Sequence, residues 1–137
     1  MVSRPKPNIT SRYESFWHGI SNGEITVEVC ETCDLPLPFG TLICSEHAIQ
    51  SISRQRIAPT GRIVTITKVD HHPHPLLNEE TPYAIGVVRE DRYGAMIYCR
   101  IADSSLDIGD SIAISTSIFG DEVPLIIATS LDRSQDN

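Results

Sequence analysis

Lysine is almost absent from this 137-residue chain: Lys6 and Lys68 stand alone against 18 acidic residues, and the net charge is −7. Phosphate backbones and anionic membrane surfaces are held by dense Lys and Arg, so this balance disfavours both as general partners. Long apolar runs are missing too. None approaches the roughly 18–20 residues that span a bilayer, so no membrane segment is expected. Aromatic residues make up 6% of the chain, which is thin for a surface that stacks bases. The start of the chain is basic at Arg4 and Lys6 but has no apolar segment behind it, so no secretory signal is expected and a cytoplasmic location follows.

What is present is globular composition, 40% hydrophobic and 21% charged. A chain of this length supports one core and little more. Four cysteines in a reducing compartment stay as thiols, and the grouping of Cys30, Cys33 and Cys44 points to metal in place of disulfides.

Residues 1–10 carry two prolines and no period, and read as a flexible arm. Ser11 and Glu14 have the spacing of a capping box, and Tyr13, Phe16, Trp17 and Ile20 recur on one helical face, so a helix is expected that ends at Asn22-Gly23. Glu24 to Cys30 alternates as a half-buried strand. A module boundary is placed near residue 50, giving a helix and ribbon over 11–50, a barrel over 51–131 and a disordered tail over 132–137. The polar run 51–56 reads as the join. Beyond it, Arg62 to Val69, Tyr83 to Glu90, Gly94 to Ile101, Asp110 to Ser117 and Val123 to Thr129 are rich in β-branched residues, with a hairpin turn at Asp91-Arg92-Tyr93-Gly94. The class is mainly β. Five short-linked strands fit an OB-fold barrel, and a sandwich satisfies the same pattern.

Cys30-x-x-Cys33, ten residues, then Cys44-x-x-His47 places two ligand pairs on two tight turns. Asp34 to Gly40 contains two prolines and a glycine and reverses the chain between them. This is the spacing of a four-ligand zinc ribbon, closed to water and therefore structural. A ribbon of this size cannot bury enough surface to stand alone, so the metal is expected to hold it.

The order of features resembles a known family. A helix with Phe16-Trp17-x-Gly19, the Cys-x-x-Cys strand, the Pro-rich turn, the second ligand pair, the Gly61 turn, Pro82-Tyr83 and Leu106-Asp107-Ile108-Gly109-Asp110 are similar to small proteins with an N-terminal rubredoxin-like zinc ribbon and a C-terminal OB fold. The likeness runs from about residue 13 to 129. It implies a non-catalytic accessory subunit that bridges thiolase-fold catalytic subunits in acyl-transfer, acyltransferase or aldolase complexes and helps admit a CoA-type ligand. Two departures stand out: His47 replaces the usual fourth cysteine, and Asp34 stands where a glycine is common.

Arg54, Arg56 and Arg62 form the dense positive cluster of an acidic chain, suited to CoA phosphates or left as solvated charges. His71, His72 and His74 lie in a loop whose prolines, Pro73 and Pro75, are expected to hold the backbone extended, read as an exposed contact surface in preference to a second metal site. Cys99 sits in a strand pattern, where an inert buried thiol is expected over a nucleophile. Phe16 and Trp17 suit a partner interface or the core equally. Three classes follow: an accessory subunit first, a single-stranded nucleic-acid-binding OB-fold protein as the alternative, and a stand-alone enzyme last, since no arranged catalytic site is visible.

Overall fold

The computed structural model describes residues 13–37, 44, 46–47, 52–119 and 123–131. The expected arm over 1–10, Ser11, residues 38–40 of the expected turn, the boundary near residue 50 and the tail over 132–137 lie outside them.

The first helix, α1 (Glu14–Ser21), turns its apolar stripe inward and packs against two later strands. Its N-cap is Tyr13, with no side-chain cap hydrogen bond. The end falls where expected, with the Asn22 amide donating to Gly19 O at 2.9 Å. Ile20 is buried, while Phe16 and Trp17 are half-buried and meet edge to face at 5.4 Å.

Two antiparallel strands follow, β1 (Thr26–Cys30) and β2 (Ile52–Arg56), paired from Thr26↔Arg56 to Cys30↔Ile52. The polar run read as a join is thus a strand of the ribbon sheet. Opposite charges directly across it, Glu28 and Arg54, form an ion pair at 3.2 Å.

Five strands make a closed barrel: β3 (Thr60–Val69), β4 (Tyr83–Glu90), β5 (Met96–Ile101), β6 (Ser111–Phe119) and β7 (Val123–Ser130). The order is β3-β4-β5-β7-β6, and β6 returns to β3 through Gly61↔Ile112. All pairings are antiparallel except β5 with β7. This is the five-stranded OB architecture. Gly61 makes the β3–β4 approach feasible, since a Cβ there would lie 2.4 Å from Arg89 O. Gly94, at φ +74, closes the β4–β5 turn. A bulge between Ile63 and Thr65 interrupts β3.

The barrel core gathers Ile63, Val88, Ile97, Cys99, Ile101, Ile112, Ile114 and Ala128, together with Ile25 and Ile57 from either side of the ribbon. The base of the ribbon is therefore part of the barrel core, and only its tip stands apart. Between β3 and β4, a short helix, α2 (Pro75–Glu79), occupies the loop expected to be extended. No described helix is long and apolar enough to cross a membrane.

Candidate metal centre and the ribbon–barrel junction

The ribbon tip is built from backbone first. Asp34 N donates to Cys30 O at 2.8 Å and Cys30 N to Leu35 O at 3.0 Å, folding the Cys30–Cys33 turn, while His47 N donates to Cys44 O at 3.2 Å in the second. The turn needs a left-handed residue after Cys33, and Asp34 supplies it at φ +58. Aspartate is among the side chains that tolerate this region, so the missing glycine leaves the turn intact.

These turns bring Cys30, Cys33, Cys44 and His47 together, their ligand atoms all within 4.8 Å of one another. Cys30 Sγ and Cys44 Sγ each lie 3.8 Å from His47 Nδ1, and Cys33 Sγ lies 3.7 Å from Cys44 Sγ. A tetrahedron with metal–sulfur bonds of about 2.3 Å has edges of about 3.8 Å. The spacing is that of four ligands around one ion, far longer than a disulfide, and all the cysteines are free thiols. Donor set and spacing therefore fit a metal ion, with no fifth protein group required.

Burial disfavours the Cys30 thiolate, but the amides of Cys33 and Thr32, followed by the neighbouring thiols, more than offset it and bring its pKa from 9.0 to about 7. At Cys33 the Leu35 amide favours the thiolate, yet desolvation and the adjacent sulfurs of Cys44 and Cys30 raise its pKa. A bound cation would favour the thiolate form of these ligands further. Leu37 and Ile52 pack beside the buried sulfurs.

The three arginines sit on two sheets. Arg54 is held by Thr26 Oγ1 at 3.1 Å and by Glu28, and Arg56 pairs with Glu24, so both belong to the ribbon sheet. Arg62 is exposed on β3, directly across from Arg89 on β4. Arg56 and Glu24 flank a cleft of about 230 Å³ between ribbon and barrel, floored by Ile25, Ile57 and Ile114.

The histidine loop is occupied with its own backbone. His72 Nδ1 accepts from His74 N at 3.0 Å, and His74, the N-cap of α2, accepts from Leu76 N at 3.3 Å. Among the described residues, the ribbon quartet is the one group of three or more such side chains close enough to share an ion. Cys99 faces the barrel core, where burial pushes its thiol up to about 11, the opposite of an activated nucleophile.

Sequence reasoning missed Glu90. Its carboxylate is 1% exposed and accepts four backbone amides: Ala58 and Arg92 on Oε2 at 3.0 and 2.7 Å, Tyr93 and Ala95 on Oε1 at 2.7 and 3.0 Å. A signal existed, since Gly86, Val88 and Glu90 share the inward phase of β4 and an acid there needs donors.

No family model matches the chain, and no curated protein matches it in sequence. Among solved structures, the chain is similar to one of an Ltp2-ChsH2(DUF35) aldolase, with a TM-score of 0.77 at 17% identity, covering 91% of this chain and 98% of that one. The likeness is one of fold, and the fold is the one that the sequence resemblance implies: an OB barrel carrying a ribbon with a Cys/His group.

Proposed function

We propose that the chain is a zinc-containing, non-catalytic accessory subunit of a cytoplasmic thiolase-fold complex that forms or cleaves C–C bonds or transfers acyl groups from CoA thioesters. The observation that carries this is the end-to-end fold match to a chain of the Ltp2-ChsH2(DUF35) aldolase, combined with a closed four-ligand ribbon. Three sulfurs and one imidazole at tetrahedral spacing suit zinc, which takes this donor set without geometric penalty and, with every position filled by protein, serves as a structural clamp. The ribbon then projects as a rigid arm that bridges catalytic subunits.

CoA phosphates would be met by Arg56, exposed beside the junction cleft, in preference to Arg54, whose guanidinium is already shared between Thr26 and Glu28. Charge reversal at Arg56 should weaken CoA retention by the complex, and unchanged retention would remove that role.

The decisive experiment is co-expression with tagged thiolase-fold proteins of the same organism, followed by light scattering on the eluted complex and metal analysis. A stable hetero-oligomer with one zinc per copy of this chain is expected. Failure of every such protein to retain the chain would overturn the assignment.

A further inference from the structure

The barrel closes where β6 pairs with β3 over Thr60–Arg62. Most of its surface is therefore side-chain face, and a broad partner contact falls there. One face is built for it. On the outside of β3, β4 and β5 the pairing register places Arg62 opposite Arg89 and Arg89 opposite Met96, and then Val87 opposite Tyr98. Tyr98 is 80% exposed, Met96 48% and Ile85 44%, so large apolar groups lie in contiguous outward positions. Tyrosine, methionine and arginine are the residues enriched where protein interfaces bury their centres.

The arginines say what should cover the face. Like charges directly across two strands repel, and among the described residues neither Arg62 nor Arg89 makes an ion pair, although the chain holds 18 acids. Carboxylates arriving from outside would relieve that repulsion. A two-fold contact of this face with its copy would instead bring four arginines together with no acid among the outward paired positions. Single-stranded nucleic acid asks for a row of stacking aromatics and a cationic groove, whereas Tyr98 stands across from Val87 and the nearby Arg100 is committed to Glu80 and to the Tyr83 ring at 4.3 Å.

We infer that the outer face of β3–β5 is the docking surface for the catalytic subunit, met by an apolar pocket that takes Tyr98 and by carboxylates that face Arg62 and Arg89. This rests on the accessory-subunit reading. The test uses the full chain and the thiolase-fold subunit that retains it. Tyr98→Ala and Arg89→Glu should each weaken the measured Kd at least about tenfold without lowering the melting temperature, because both side chains are exposed. Wild-type affinity should fall with added salt, and the Arg62→Glu/Arg89→Glu variant should lose that dependence.

Full affinity in all three variants would overturn the docking face while leaving the accessory role standing. Failure of the wild-type chain to bind any thiolase-fold subunit would overturn both. Two further results also reject it: self-association in sedimentation that Tyr98→Ala abolishes, which makes the face a self-interface, or binding of labelled oligothymidylate at low salt that Tyr98→Ala abolishes, which makes it a nucleic-acid site.

Discussion

The carboxylate of Glu90 accepts the backbone N–H of Ala58 at 3.0 Å, joining the end of β4 to the segment that carries the chain out of the ribbon. The same carboxylate takes the amides of Arg92, Tyr93 and Ala95, so one buried charge shapes the β4–β5 turn and fixes the ribbon's exit. With four donors converging on two oxygens, the acid needs no cation beside it.

Glu90→Gln therefore costs more than a surface change. The new NH₂ group cannot accept, so two of the four amides lose their partner, at roughly 1–3 kcal/mol each. A fall in Tm of about 10 °C is expected in thermal melts followed by circular dichroism. A fall of only a degree or two would show that the amides find other acceptors.

Asp34 gives a graded test of the first metal-binding turn. At φ +58, a β-branched side chain is disfavoured by about 1–2 kcal/mol, whereas glycine is at home. Because the turn orders as the metal binds, the cost passes into affinity. Zinc affinity measured against a competing chelator should fall about tenfold in Asp34→Val and remain within about threefold in Asp34→Gly. Equal affinities for valine and aspartate would show that the turn does not need the left-handed residue.

Local spacing made the metal quartet legible in the sequence, since two x-x pairs specify two turns without reference to the rest of the fold. The barrel strands were legible from alternation, and β4 over Tyr83–Glu90 begins and ends where its pattern does. What escaped was information held in pairs distant along the chain. Ser53, Arg54 and Gln55 look like a linker because β2 owes its strand to β1, through the Glu28–Arg54 pair and the backbone ladder. Glu90 looked like a strand end because its donors come from Ala58 and from the following turn. In the loop before β4, Pro75 read as a sign of extended chain, whereas proline in the first turn after an N-cap, here His74, starts a helix as readily.

Cys99 makes a pH prediction with a definite sign. Burial raises its pKa from 9.0 to about 11, so the thiol form stabilises the fold. That contribution is complete below the unfolded-state value near 9 and is lost as the pH rises towards 11. Denaturant unfolding should show stability declining across this window, with a shallower decline in Cys99→Ala. Identical pH dependence in the two proteins would show that Cys99 does not titrate with unfolding. Near neutrality, the same protonated state predicts slow reaction with thiol reagents.

Metal removal should separate the molecule into what the ion holds and what the barrel holds. Among the described residues, the packing around the quartet is small: Cys30, Leu37 and Cys44 with Ile52 against them. Such a cluster cannot offset the entropy of ordering the ribbon tip. The base differs, because Ile25 and Ile57 lie in the barrel core and Ala58 is tied to Glu90. Hydrogen exchange before and after chelation should therefore show the amides of Cys30, Asp34 and Leu37 losing protection first. Those along β3, β4 and β5 should keep theirs, and Ile57, which donates to Ile25 O at 3.1 Å, should stay with the barrel. Uniform loss across both groups would mean that the barrel depends on the ribbon. Retained protection at Cys30 and Leu37 would mean that no ion holds the tip. The expected gradient, steepest between Cys30 and Ile25, follows from a strand whose two ends answer to different sources of stability.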